Sequence, residues 1–344
     1  MNLQIAVLLG QDGITNGAVY ALLALSIVLV FTVTRVLLIP LGEYVAYGAL
    51  TLAALQAGQR SAVVWLLVGL CAACAVLDLV QRWRDPAARL GWAFAAKLLY
   101  PLPVLAVLYG LAPADLPQAA QIALTLALLV PLGPLLYRLV YQPIADAPAL
   151  VLLIVSIALH VSMMAVGLLV FGAEGARAAP MVDAMLEFGS VRLKAQTLAV
   201  IAASLLLIVA LALFFGRSLY GKALRAAAMN RTGARLMGIS PVFAGKATFL
   251  LASFIGTLSG VLIAPLTTIY FDSGFLISLK GFVGAIIGGL VSYPVAAAGA
   301  VLVGLIEAYS AFWASAYKEI IVFTLIIPVL LWRSLTSHHV EEDD

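Results

Sequence analysis

The stretch LAVIAASLLLIVALALFFG, Leu198–Gly216, runs for nineteen residues without a charge. Four residues further on, GKALRAAAMNRTGARLMGIS, Gly221–Ser240, carries Lys222, Arg225, Arg231 and Arg235 and no acid. A spanning helix needs about 20 mostly apolar residues, so the first stretch reads as a membrane span. The second cannot lie in lipid, yet its Ala, Leu, Met, Lys and Arg favour helix. Asn230 or Thr232 can cap a second helical turn, and Gly238 can end it ahead of Pro241. A basic, helix-compatible segment between two apolar runs fixes the fold class. The chain is an all-α polytopic membrane protein that sets a short amphipathic element into water.

Working outward, apolar runs of similar length recur along nearly all of the 344 residues. The chain is 64% hydrophobic and 10% charged, against about 25% charged in soluble domains, and its mean hydropathy is +1.13. No segment is long and polar enough for a soluble domain. The candidate spans are 15–34, 42–57, 62–80, 91–111, 118–138, 149–170, 197–216, 246–265, 279–291, 296–312 and 318–333, within a range of 9–11 helices. Helix is required because lipid offers bare backbone no partner, and the runs are apolar on both faces, unlike barrel strands. The N-terminus MNLQIAVLLGQDG lacks a basic region and a cleavage site, and reads as a lead-in to the first span. Cys71 and Cys74 form a C-x-x-C inside an apolar run, an incomplete zinc site and so a pair of ordinary buried thiols.

Lys and Arg set the orientation. With the N-terminus outside, twelve basic residues fall in inside loops: Arg35, Arg82, Arg84, Arg89, Arg138, Arg333 and six between Arg217 and Lys246. Six fall outside: Arg60, Arg177, Arg192, Lys194, Lys280 and Lys318. This bias puts the basic stretch and the C-terminus in the cytoplasm. Gly288, Gly289 and Pro294 interrupt the pattern near residue 290, reading either as half-length helices around a cavity or as close packing through Gly284-x-x-x-Gly288. The polar segment 172–196 reads as an external loop with a re-entrant turn, or as a docking surface.

No H-E-x-x-H, G-x-S-x-G or G-x-x-x-x-G-K-[ST] pattern occurs, so no enzymatic set and no cofactor is expected in this chain. If ATP drives it, another polypeptide binds the ATP and magnesium. No nucleic-acid partner is indicated by a net charge of +3. Charges within spans are costly and functional or paired. Glu43, Asp78 and Glu307 fall near span ends, where a side chain can reach water, and Glu307 is either such an acid or a pathway residue. His160, near the middle of its span, is the only deep candidate for proton coupling. The basic stretch is either a docking surface for a soluble partner or a positive-inside loop that touches anionic lipid.

Three regions resemble the branched-chain amino-acid permeases of the LivH type, a family of ATP-binding-cassette importers that also takes in urea and amide importers. GITNGAVYALLALSIVLVFTVTRV, Gly13–Val36, is similar to the family's first helix. YGKALRAAAMNRTGARLMGIS, Tyr220–Ser240, resembles its coupling loop. The third region holds FIGTLSGVL, LKGFVGAIIGGLVSYPVAAAGAVLVGLIEAY and YKEIIVFTLIIPVLLWR. The resemblance implies a type II-like importer permease, one transmembrane domain over 1–344 with a coupling loop at about 217–245. It implies a multi-pass place in the cell inner membrane, two ATP-binding subunits, a second permease subunit (LivM-like, or a second copy) and an extracytoplasmic solute-binding protein. By it, Ala228, Asn230, Ala234, Gly238 and Ile239 sit on the coupling element, small residues letting the helix lie in a groove on the ATPase, with Arg225, Arg231 and Arg235 as polar contacts. Asn16, Tyr20, Glu43 and Glu307 are the translocation-path candidates, and Asp272 is a candidate at the binding-protein surface.

The chain also departs from that pattern. Where the family reads N-F-A-H/Q-G-E, this chain has LIPLGE, Leu38–Glu43, so Leu38 and Leu41 replace polar groups. A Gln or Arg followed by Asn is missing around Met163–Ala165. Residues 81–118 resemble an insertion of two helices. The competing expectation is a self-contained secondary carrier or channel, which would have to hold its own coupling residue.

Overall fold

The computed structural model describes residues 3–84, 92–188 and 191–336. Each apolar run is helical where described. The helices are α1 (Leu3–Thr34), α2 (Leu41–Gln56), α3 (Val63–Arg84), α4 (Trp92–Leu99), α5 (Pro101–Gly110), α6 (Gln118–Leu129), α7 (Leu132–Leu136) and α8 (Ala149–Phe171). A hairpin of β1 (Met185–Phe188) and antiparallel β2 (Val191–Lys194) follows. Then come α9 (Ala195–Arg217), α10 (Leu219–Met229), α11 (Arg231–Leu236), α12 (Pro241–Ile263), α13 (Ser273–Ile287), α14 (Tyr293–Trp313), α15 (Lys318–Thr324) and α16 (Ile326–Thr336). Seven helical stretches among the described residues are long and apolar enough to cross a membrane.

Two short helices sit at the centre. At 1.5 Å per residue, the 16 residues of α2 reach about 24 Å, less than the hydrocarbon thickness of about 30 Å. The helix is nevertheless apolar all round, and nearly every residue from Leu41 to Leu55 is buried, as expected of a helix enclosed by others. Packing against α12 and α13 is close because small residues meet: Gly42 and Gly274 face each other's backbone. The same device joins α1 to α14, where a Cβ on Gly13 or Gly17 would lie 2.8 Å from Leu305 Cα or 2.7 Å from Val301 Cα. Small residues let helices approach where lipid provides no hydrophobic drive for association.

Proline explains the breaks. Pro134 has no N–H to give Val130, and the Val130 carbonyl instead accepts from Ser253 Oγ at 2.7 Å and from Gly133 N at 3.2 Å. The run 118–138 therefore divides into α6 and α7, tied to α12. Pro328 likewise separates α15 from α16. Near residue 290 both sequence readings hold in part: α13 ends at Ile287 before a turn into α14, and Gly284 and Gly288 lie against Ala300 and Ala296.

Four expectations are corrected. The lead-in is no separate segment, because helix α1 begins at Leu3 and at 32 residues extends about 48 Å. Lys280 is not an external loop charge but a buried residue of α13. Segment 172–184 is not re-entrant. It forms a strap across one end of the bundle, with Arg177 donating from Nε and Nη2 to the Pro265 carbonyl at 3.0 and 2.8 Å, and Ala179 N donating to Gln56 Oε1 at 2.7 Å. Finally, two of the three span-end acids do not reach water: Glu43 and Glu307 are buried, whereas Asp78 is half-buried and pairs with Lys97 and with Arg138, at 3.0 Å from the latter.

Candidate functional site: the short helices at one end of α1 and the polar residues along it

The segment after α9 turns on three capping residues. Ser218 Oγ accepts from Gly221 N at 2.9 Å and opens α10. Asn230 ends α10, and its Oδ1 accepts from Gly233 N at 2.8 Å to open α11. Ser240 Oγ accepts from Phe243 N and opens α12. Gly238 closes α11 with φ +82°, a left-handed conformation that glycine adopts without strain. Its N–H bonds the Arg235 carbonyl and Ile239 N–H bonds the Ala234 carbonyl, at 3.0 and 2.9 Å, the paired bonds of a Schellman ending.

One face of α10–α11 is glued to the bundle. Leu224, Ala227 and Ala234 are buried with Leu29 and Val33 of α1 and Ala244 of α12, and Ala228 and Ile239 pack against them. Among the expected contact residues, Ala234 is therefore turned inward, at 5% exposure. Its small size serves the fit to this chain's own helices rather than to a groove on another protein. Arg225, Asn230, Arg235 and Gly238 are exposed, while the side chain of Arg231 lies outside the described residues. The exposed face also carries apolar side chains that sequence reasoning passed over: Met229 at 89%, Leu236 at 84% and Met237 at 82% exposure. Their signal was the spacing itself, since Leu224 and Ala227 face in and Met229 stands on the opposite side of the turn.

The four path candidates separate. Tyr20 and Glu307 join in one cluster: Tyr20 OH donates to Glu307 Oε2 at 2.7 Å, and Lys280 Nζ donates to Glu307 Oε1 at 2.5 Å and to Glu319 Oε1 at 3.1 Å. This cluster binds α1, α13, α14 and α15. Glu43 stands elsewhere, in the first turn of α2, where the helix dipole favours an acid. It is fully buried. His160 Nδ1 comes within 2.9 Å of its Oε1, but the two are not aligned as a hydrogen bond, and neither carboxylate oxygen has a hydrogen-bond partner among the described residues. His160 stacks on Phe275 with ring centroids 4.8 Å apart. Asn16 is half-buried and lines a cavity of about 690 Å³ beneath the strap.

The departures from the family pattern are also placed. Leu38 lines an apolar cavity of about 310 Å³ with Leu37, Ile39, Phe275 and Phe282, and Leu41 is buried against Gly256. Met163 gives its carbonyl to Tyr47 OH at 2.5 Å. No cluster of metal-ligating side chains occurs among the described residues.

A family described as "Branched-chain amino acid transport system / permease component" matches residues 11–330. The chain is 27% identical over 236 residues to the high-affinity branched-chain amino acid transport system permease protein BraD of Pseudomonas aeruginosa, covering 67% of this chain and 77% of that protein. It is 27% identical over 201 residues to the LivH permease protein of Escherichia coli K12, covering 56% of this chain and 65% of that relative, just under two thirds of its length. No solved structure matches.

Proposed function

Because the chain belongs to the permease components of branched-chain amino acid transport systems, we propose that it forms the membrane pathway of an importer for branched-chain amino acids or a related small solute. Separate ATP-binding subunits carry the ATP and magnesium and dock on α10–α11 from the cytoplasm, with the N-terminus of the chain outside. A second permease subunit completes the pathway, and a solute-binding protein delivers the cargo.

The observation that carries this reading is the two-faced construction of α10–α11. Its inner face fixes it to the end of α1, and its outer face presents Arg225, Arg235, Met229, Leu236 and Met237 to water. A loop needed only for charge bias has no use for three large apolar side chains more than four-fifths exposed. Apolar anchors beside arginines are the composition of protein interfaces. The neighbouring strong caps keep the element rigid enough to transmit a push.

The test is Met229→Glu with Leu236→Glu, two fully surface changes that leave the buried face intact. We expect the tagged permease to insert normally, to lose its ATPase in purification and to lose uptake by about tenfold or more, the loss of roughly 1.4 kcal/mol of docking energy or beyond. Undiminished ATPase recovery and uptake would overturn docking on this face. Transport by the purified chain reconstituted alone would establish the carrier reading in its place.

A further inference from the structure

The cavity under the strap lies at the opposite end of α1 from the coupling element. Leu29 and Val33 pack under α10–α11, whereas Leu8, Gln11, Asp12, Thr15 and Asn16 line the cavity. Its volume of about 690 Å³ falls within the range of small-molecule sites, about 300–1,000 Å³. Three kinds of wall meet in it.

The first wall favours an anion. The 23-residue α9 begins here with no side-chain cap, and Gln196 and Thr197 of its first turn line the cavity. The dipole of a helix start attracts a carboxylate, while the first N–H of α9, at Ala195, already donates to the Ala184 carbonyl at 2.9 Å. Lys194, one residue before the helix, lines the same space. Gln196 adds a second, independent sign. It is 4% exposed, its Oε1 accepts from Met181 N at 2.9 Å and Val182 N at 3.3 Å, and its Nε2 is a buried donor with no partner among the described residues. A buried donor left unmade is costly unless something arrives to accept from it.

The second wall favours a cation. Asp12 of α1 and Asp183 of the strap line the cavity; Asp12 lies within electrostatic reach of Lys194, and neither acid makes an ion pair at contact distance among the described residues. The third wall is apolar and consists of Leu8, Val182, Met185 and Leu266. Arg177, the other basic group at the rim, is already spent on the Pro265 carbonyl.

We propose that this cavity is a receiving site for a free aliphatic α-amino acid as it enters the permease. Its carboxylate meets Gln196 Nε2, Lys194 and the start of α9, its ammonium meets Asp12 and Asp183, and its side chain lies on Leu8, Val182, Met185 and Leu266. The proposal rests on the permease reading above and adds the place and the chemistry of recognition. A phosphatidylethanolamine headgroup offers the same pair of charges, so the test separates the two.

The full importer is reconstituted in vesicles with and without phosphatidylethanolamine, and uptake of L-leucine is measured against concentration for the natural protein, Asp12→Asn and Lys194→Gln. Both positions are exposed and hold no ion pair among the described residues, so the variants keep the fold, which recovery of the assembled complex checks. Each variant is expected to lower the maximal rate of leucine uptake, with the solute-binding protein saturated, about tenfold, the effect of losing one charge-assisted contact, in both kinds of vesicle. An unchanged maximal rate in both variants, with the natural protein taking up leucine, overturns the site and leaves the permease reading standing. Uptake that collapses without phosphatidylethanolamine, with no difference left between natural and variant protein, assigns the cavity to lipid and also overturns it. No leucine uptake by the natural complex overturns the underlying reading of the substrate.

Discussion

Glu43 and Glu307 are both acids buried among apolar helices, and the molecule treats them oppositely. Glu307 has a donor for each oxygen, from Tyr20 and Lys280, and the lysine is shared with Glu319. Glu43 has a helix start behind it and His160 beside it, but no hydrogen bond to either oxygen. A buried charge that is paired and bonded welds helices together, whereas one left half-answered is a cost to the fold. The difference separates a structural cluster, in which α1, α13, α14 and α15 meet, from a polar site held against stability. Glu307 thus acts as a joint between α1, α13, α14 and α15.

The comparison is broken most forcefully at Lys280. Lys280→Met leaves the buried Glu307 without its cation and Glu319 with Lys318 alone, 3.9 Å away, and is expected to cost about 3–5 kcal/mol, read as a large drop in the thermal midpoint of the detergent-purified protein. A midpoint close to that of the natural protein would mean that the cluster is no joint. Tyr20→Phe removes a single hydrogen bond to the same carboxylate and should cost about 2 kcal/mol, measured in the same melts and visibly less than the lysine change. Glu43→Gln should be the mildest, within about 1 kcal/mol of the natural protein and on the stabilising side, because it replaces a buried acid whose oxygens have no hydrogen-bond partner among the described residues with an uncharged group of the same shape. Should Glu43→Gln melt as low as Lys280→Met, the two acids would be alike and the contrast would fail.

Much of this was legible in the sequence. The eleven apolar runs are largely helix where described, and seven helical stretches among the described residues are long and apolar enough to cross a membrane, because lipid allows an apolar stretch of that length no other form. The caps at Asn230 and Gly238 were readable for a similar reason, since side-chain chemistry there acts within three or four residues. Pairing across the chain was not. Lys280 stands in sequence next to a loop and reads as an external charge, and only the crossing of α13 with α14 brings it to Glu307, 27 positions away. Ala234 failed by the same logic: a small residue admits close approach, but sequence does not say whether the neighbour is another protein or α1. The strap over 172–184 was missed because its bonds run to Gln56, Pro265 and Gln196, none of which is periodic with it.

One consequence of α1 remains. It runs unbroken for 32 residues from the polar cavity to the underside of α10, with Gly13 and Gly17 resting on α14 near its outer third. A helix without a kink moves as a lever rather than as a hinge. By length alone, a tilt of about 5° about its centre swings each end of a rod about 48 Å long through about 2 Å in opposite senses. A push on the end of α1 beneath α10 therefore reaches the other end as a displacement of Leu8, Gln11 and Asp12, which line the cavity there.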